Sequence, residues 1–580
     1  MAKVQAPLNR IKIVSIGIIT IAALIVFRLF FLMVIQHEFY SQLAAGSHEL
    51  FAKLFPKRGR IYVQDTRTGE EYPLAMNRDV FLMYANTKEI LDDDTANDVA
   101  EKLSELFSYD DEQKLALYYQ LNKRTDPYEP IEKRLERPKK EEIEALNLKG
   151  IHFSRVPERF YPEGNVASSV VGFLGKNDEG QDVGRYGVEG YFNDVLAGQQ
   201  GFLAGIRSAK GNLIASAGKD SKSARDGADV LLTIDRTLQF QTCQMLDKYM
   251  KEYEAETASL VIMDPYSGAI RVMCSLPSFD PNKYNLVEDG AVYNNSNIFT
   301  PYEPGSIFKP IVMAAAVNEE LITPNTVFHD SGSREGVCQT PIRNADRKIY
   351  KDQTMNGVLE NSINTGMVYV AELLGKDKLK EYIEEFGFGV KGGVELHSEV
   401  SGTIDSLSLN DSDKLDCYAA TASFGQGITA TPLQMVSAFS SIANGGTLMK
   451  PYVVQEVRYA DGRIERRKPE KLKEVLTKRA ASLVGGMLVN VVDSGHAGGA
   501  AVKGYYVGGK TGTAQIAERG IYSEETNHSF VGFAPVEEPE FVMLVKFEKP
   551  QRRFSSSTAA PAFGEIAKFV LEYYGIAPKR

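Results

Sequence analysis

Apolar residues dominate positions 13–27, stop at Arg28 and resume over 29–35. At about 1.5 Å per helical residue this stretch is long enough to cross a ~30 Å hydrocarbon core. Beyond Gln36 the pattern changes, and from 38 to about 225 the chain is polar and mixed, with short elements. Arg58-Gly59-Arg60-Ile61-Tyr62-Val63 predicts a loop entering a strand, and Val99, Leu103 and Leu106 give 95–107 a helical spacing. The mixed charge run 133–144 predicts a solvated helical face. The stretch 215–229, rich in Ser, Lys, Asp and Gly, reads as a linker.

Apolar runs become denser after it. Residues 230–235 predict a strand running into a helix cap, with a helix to about Tyr253. Two strands, 258–263 and 269–274, flank the turn residues Asp264-Pro265-Tyr266-Ser267-Gly268 and predict a β-hairpin. The Ala-rich run 311–317 predicts a buried helix, and further helical patterns cover 354–360 and 366–374. Strands at 505–515, 529–533 and 541–547 precede a helix over 561–574, in which Phe563, Ile566, Val570 and Tyr573 share one face. A helical block between two sheet halves predicts an α+β domain.

Charge and composition narrow this picture. With 580 residues, 43% hydrophobic and 24% charged, the chain has room for several globular domains. A net charge of −10 argues against nucleic acid as a partner. Cys243, Cys274, Cys338 and Cys417 are scattered, and the histidines are isolated, so no metal-ligand spacing is present and any disulfide pairing stays unassigned. Lys3, Arg10 and Lys12 precede the apolar segment, and no acidic residue appears before Glu38. The positive-inside rule then places a tail, 1–12, in the cytoplasm and everything after Gln36 outside it. The apolar region is too long for a usual signal peptide, although Ala44-Ala45-Gly46 is a loose cleavage site, so 13–35 predicts an uncleaved single-pass anchor. Arg28 is costly in lipid; it either snorkels to one interface or meets a polytopic membrane partner. Gly184-Arg185-Tyr186-Gly187-Val188-Glu189-Gly190 is Gly-rich but lacks the spacing of a nucleotide-binding loop.

The chemistry gathers at Glu303-Pro304-Gly305-Ser306-Ile307-Phe308-Lys309-Pro310. Ser306 falls at the predicted helix start, where Ser is a favoured cap. Lys309, three residues on, shares its helix face. The positive helix N-terminus would stabilise an oxyanion, and burial would lower the lysine pKa towards that of a general base. Alone, Ser-x-x-Lys is expected by chance about twice in a chain of this length, and a capping serine explains it. Two further groups change the balance. Ser362 and Asn364 sit two apart on a predicted interhelical loop, so both can face a cleft. Lys510-Thr511-Gly512-Thr513 lies in a strand weakened by glycines, which suits close approach of a ligand backbone, and period two puts Thr511 and Thr513 on one face. An extended ligand pairing with that strand fits β-augmentation.

Ser306-x-x-Lys309, Ser362-x-Asn364 and Lys510-Thr511-Gly512, in this order, resemble the motifs of the penicillin-recognising serine enzymes. Tyr302 and the residues up to Lys309, Phe424-Gly425-Gln426-Gly427 with the following Ile428 to Gln434, Ala443-Asn444-Gly445-Gly446, and Gly509 to Gln515 are similar to class B penicillin-binding proteins. Arg58-Gly59-x-Ile61 and Gly184 to Glu189 resemble that family's pedestal motifs, so the likeness covers nearly the whole chain. Ile363 inside the second motif and a shortened surface between Glu518 and Asn527 are departures. The modest pedestal looks more like the septal branch than the elongation branch. The resemblance implies a central antiparallel sheet with an all-helical subdomain over 227–580, behind an irregular dimerisation-type pedestal over 36–226. It implies a peptidoglycan D,D-transpeptidase that needs no cofactor and no metal. Ser306 would attack the penultimate D-Ala of a stem peptide, with Lys309 as base and Ser362 as relay. Asn364 would position substrate and Lys309, Lys510 would hold Ser362, and Thr511, Gly512 and Thr513 would bind the donor. Backbone N–H groups of Ser306 and Thr513 would form the oxyanion hole. Implied partners are lipid II-derived stem peptides, β-lactams, a polytopic glycosyltransferase of the shape and division type, and other division-complex membrane proteins. The alternatives on the same residues are an elongation-type transpeptidase, a D,D-carboxypeptidase or β-lactamase in which water resolves the acyl group, and a non-catalytic sensor or scaffold.

Overall fold

The structure, a computed structural model, describes residues 49–54, 56–207, 213–215, 222–409, 415–518 and 521–580. The expected tail and anchor, 1–35, lie outside the described residues, as does part of the expected linker, 216–221. Among the described residues no helix is long and apolar enough to cross a membrane. The chain divides into two compact units. One comprises Met1–Lys57 and Ala197–Gly227, where Glu49–Leu54, Gly201–Arg207 and Leu213–Ala215 form a three-stranded antiparallel sheet with Glu49 opposite Ile206.

The other unit comprises Arg58–Leu196 and Ala228–Arg580. Its two segments share a sheet. The strand Asp229–Asp235 pairs in parallel with Ile61–Gln64 and antiparallel with Val454–Arg458. Ile61 and Val63 are buried in alternation with half-buried neighbours, whereas Val230 to Asp235 are buried throughout, as a strand covered on both faces requires. A separate, smaller core gathers around the helices Asp93–Phe107 and Asp111–Leu121, with Val99, Leu103, Leu117 and Leu121 inside. The first of these starts where Asp92 accepts the Thr95 N–H. The charge run 133–144 is not one helical face. It divides between the strand Glu129–Leu135 and the helix Arg137–Ala145, which buries Ile143, because Pro138 favours the first turn of a new helix. Arg58, Arg159 and Glu189 meet in the interior, and Glu189 accepts from both guanidinium groups at 2.6–2.8 Å. Burial pushes the Glu189 carboxyl up, but the two arginines outweigh it and hold it below the usual range.

The catalytic-region sheet has five antiparallel strands: β1 (Thr257–Met263), β2 (Ile270–Leu276), β3 (Gly508–Glu518), β4 (Ile521–Ala534) and β5 (Phe541–Glu548). Their order is β2-β1-β5-β4-β3, which leaves β3 at one edge. β5 is the central strand and is buried on both faces, which accounts for the apolar run Phe541 to Val545; Lys546, also buried, is paired with Glu548. Helix α1 (Arg236–Glu252) begins at Asp235, whose carboxylate accepts the Leu238 N–H. Helices α2 (Lys309–Asn318), α3 (Asn364–Leu374), α4 (Pro432–Ala443) and α5 (Lys478–Asp493) form the inserted helical block. Helix α6 (Ala559–Tyr574) packs on β4 and β5 through the predicted face of Phe563, Ile566, Val570 and Tyr573. Strand pairing reaches into the stretch between Glu518 and Asn527. Both strands run beyond their predicted ends, and Thr526 and Gln515 remain paired, because backbone pairing continues past the last apolar residue. Disulfides join Cys243 to Cys274 and Cys338 to Cys417, pairings that scattered positions could not reveal.

Candidate active site

Three glycines bring three segments together around Ser306. The stretch around Ser306, the expected nucleophile, forms a single 3-10 turn, Gly305–Phe308, that runs directly into α2. Gly305 adopts a φ of +57°, open to glycine at no steric cost, and donates its N–H to Gly425 O at 3.0 Å. A Cβ on Gly425 would lie 2.2 Å from Gly305 O, and one on Gly512 would lie 2.7 Å from Ser529 Oγ and 3.0 Å from Pro304 O. The Gly425-Gln426-Gly427 loop, the nucleophile turn and β3 therefore approach as bare backbone. Only the folded chain reveals why glycine stands at these positions.

Ser306 caps no helix. The residue before α2 is Phe308, with no side-chain cap, and the Ser306 hydroxyl instead accepts from Ser362 Oγ at 2.9 Å. Ser362 Oγ in turn accepts from Lys309 Nζ at 3.1 Å. The three side chains form a hydrogen-bonded chain, with Ser362 between Ser306 and Lys309. Lys309 is fully buried and donates also to Ser362 O at 2.6 Å and Asn364 Oδ1 at 2.8 Å. Burial, and then the charge of Lys510, hold its pKa well below the usual lysine range. That is the state a general base near neutral pH needs. Ser362 itself takes a φ of +55°, an uncommon conformation for a residue with a Cβ, between the helix Met355–Glu360 and α3.

Lys510, Thr511, Gly512 and Thr513 lie on the edge strand β3, whose free side adjoins the nucleophile turn. Lys510 is 1% exposed, and burial pulls its pKa down to about 7. Its ammonium does not hold Ser362. It donates to Thr511 O at 3.2 Å and Thr511 Oγ1 at 3.4 Å, because those acceptors lie on its own strand. Thr511 is nearly buried, whereas Thr513 is exposed at the cleft. The Thr513 hydroxyl donates to Ser555 Oγ at 3.0 Å and accepts the Ser555 N–H at 3.1 Å. Ser555 begins a one-turn helix, Ser555–Ser557, before α6. Sequence reasoning missed it; the triple serine ahead of the final helix was the available signal. Glu303 was also missed as a contact. Its carboxylate accepts the Gly427 N–H at 3.0 Å and the Tyr522 hydroxyl at 3.1 Å, tying the β3–β4 hairpin to the nucleophile turn, and burial raises its pKa.

Comparison with known proteins gives this arrangement its family. Residues 258–568 match the penicillin binding protein transpeptidase domain, and residues 53–232 match the penicillin-binding protein dimerisation domain. Stage V sporulation protein D of Bacillus subtilis is 36% identical over 459 residues, covering 78% of this chain and 69% of its own. The probable peptidoglycan D,D-transpeptidase PenA of Neisseria meningitidis is 27% identical over 87% of this chain and 84% of its own. Among solved structures, penicillin binding protein 2X from Streptococcus thermophilus superimposes with a TM-score of 0.77 at 22% identity, covering 90% of this chain and 80% of its own. The chain belongs to the class B penicillin-binding proteins, the serine-type D,D-transpeptidases of peptidoglycan.

Proposed function

We propose that Ser306 is the acylated nucleophile of a transpeptidase that cross-links stem peptides during septal wall synthesis. The observation that carries this reading is the hydrogen-bonded line from Ser306 Oγ through Ser362 Oγ to Lys309 Nζ, with that lysine buried and its pKa lowered. The Ser306 oxygen attacks the carbonyl carbon of the penultimate D-Ala. Its proton passes to Ser362 Oγ as the Ser362 proton passes to Lys309. The tetrahedral oxyanion rests on the backbone N–H groups of Ser306 and Thr513; loss of one such donor typically costs ~10²–10³-fold. As the bond to the terminal D-Ala breaks, the proton returns through Ser362 to the departing amine. An amine of a neighbouring stem then attacks the ester, and the released Ser306 oxygen recovers a proton from it. Lys510, with Thr511 and Thr513, receives the donor carboxylate on the edge of β3, and Asn364 steadies Lys309 and the substrate amide. β-Lactams acylate the same oxygen as substrate mimics.

The apolar segment 13–35 would anchor the protein by one pass, with 36–226 as pedestal and 227–580 as catalytic domain outside the cytoplasm. Two disulfides support an oxidising compartment. A polytopic glycosyltransferase of the shape and division type would supply the glycan strands, with other division-complex membrane proteins around it. A second reading, wall synthesis during sporulation, is favoured by the name of the Bacillus subtilis relative. Incubation with labelled penicillin, followed by mass spectrometry, should place the adduct on Ser306 and find none in Ser306→Ala. A folded wild-type protein without label on Ser306 refutes the assignment. Depletion in growing cells should give filaments; round cells would indicate the elongation branch, and a defect confined to spores the second reading.

A further inference from the structure

Helix α3 carries Asn364 at its first turn yet starts without a cap of its own, since Ile363 offers no side-chain acceptor. Its first N–H groups are satisfied from elsewhere. Asn344 Oδ1 accepts the Asn364 N–H at 3.1 Å and the Thr365 N–H at 3.3 Å. Asn344 is 3% exposed, and its amide orientation is set by a buried carboxylate together with Lys348 O, which accepts from Nδ2 at 3.0 Å. Asp330, fully buried, receives four donors: Thr365 Oγ1 at 2.6 Å and Gly332 N at 2.9 Å on one oxygen, Asn344 Nδ2 at 2.9 Å and Tyr350 N at 2.8 Å on the other. An ionised carboxylate only accepts, so Asn344 must present its NH₂ to Asp330 and its oxygen to the helix. Burial pushes the Asp330 carboxyl up, but the Thr365 hydroxyl and the other donors outweigh it and keep the carboxyl below the usual range.

We propose that Asn344, oriented by Asp330, is the positioning residue of the Ser362–Asn364 loop: by capping α3 from outside, it places the acceptors that Lys309 holds. Those acceptors, Ser362 O and Asn364 Oδ1, flank Ile363 directly. A second tether has the same sense, with Asn364 Nδ2 donating to Arg343 O at 3.0 Å. Release of the cap frees the left-handed Ser362 to relax, and the lysine then loses acceptors on both sides of Ile363.

The inference rests on the Ser306 reading, and one set of measurements separates the two. The second-order acylation rate with a fluorescent penicillin is measured against pH for wild type, Ser306→Ala, Asn344→Ala, Asp330→Asn and the Asn344→Ala/Asp330→Asn double variant. Amide exchange of the 361–370 peptide and thermal melting are followed in parallel. The charged group that acts on Lys309 is Lys510, which is unaltered in every variant. Asn344→Ala should acylate about tenfold or more slowly, the cost of about 1.4 kcal/mol in lost hydrogen bonding. The acidic limb of its pH profile should move to lower pH, because lost acceptors disfavour the ammonium of Lys309. Asp330→Asn keeps the side-chain shape but turns a donor towards Asn344; it should reproduce both effects. The double variant should be no more than about threefold worse than either single one, since both remove one device. Exchange at 361–370 should accelerate in all three. An acylation rate within threefold of wild type, an unmoved or raised acidic limb, or multiplicative single effects would overturn the proposal. Failure of wild type itself to acylate would instead sink the Ser306 reading, and unchanged amide exchange would then dispose of the cap independently.

Discussion

A methyl group at Gly425 should slow acylation although no side chain of the proposed catalytic set is substituted. Gly425 has a φ of +81°, which costs an alanine about 1–2 kcal/mol by sterics alone. The larger penalty is contact. The new Cβ would meet Gly305 O at 2.2 Å, Gly305 N at 2.7 Å and Gly305 C at 2.8 Å, all backbone atoms of the nucleophile turn. Ordinary carbon–oxygen contacts lie at least about 1 Å beyond that first distance, so the Gly305–Phe308 turn or the 425–427 loop must retreat by about that much. The Gly305 N–H bond to Gly425 O would stretch with it. A misplacement of about 1 Å at a reacting group can lower a rate by ~10². Gly425→Ala should therefore acylate about a hundredfold more slowly with a labelled penicillin, in protein that still melts cooperatively within several degrees of wild type. If Gly425→Ala acylates within threefold of wild type, the backbone contact does not position Ser306, and the argument from close approach fails.

The pH dependence should show opposing limbs. In the proposed mechanism acylation uses neutral Lys309, so the rate should rise as pH climbs through its lowered pKa, and carboxylate recruitment uses charged Lys510, so it should fall as pH passes about 7. Lys510→Arg, whose charge is permanent, should remove the alkaline limb from a pH series of acylation rates; persistence of that limb would assign it elsewhere. Ser555→Ala removes the acceptor of the Thr513 hydroxyl but keeps the backbone N–H contact, so it should weaken initial binding of a carboxylate-bearing β-lactam about three- to tenfold with little change in the acylation step, read from saturation kinetics. In the pedestal, Glu189→Gln leaves Arg58 and Arg159 buried without a counter-charge and should cost about 3–5 kcal/mol of stability in denaturant titrations; a loss below about 1 kcal/mol would show that the arginines find water.

The amino-acid sequence alone determined those features that depend on neighbours along the chain. Burial on both faces of β5 requires an apolar residue at almost every position, and a surface helix such as α6 needs one stripe, so both were legible from periodicity. The order of Ser306, Lys309, Ser362, Asn364 and Lys510 was legible because each motif is short and local. Tertiary structure alone decided how those groups are joined. Ser306 looked like a helix cap because the local pattern permits one; the partner that takes its hydroxyl lies 56 residues away. Lys510 was expected to reach Ser362, but its nearest acceptors proved to be its own neighbour's. Gly425 was recognisable as part of a motif, yet its purpose is a 2.2 Å constraint against Gly305, 120 residues distant in the chain. Asp330 and Asn344 left no periodic or spacing signal, because a buried hydrogen-bond network is specified by direction in space and not by interval in sequence. The pairing of the four cysteines was hidden for the same reason: a bond between distant residues becomes readable only when folding sets their separation and orientation.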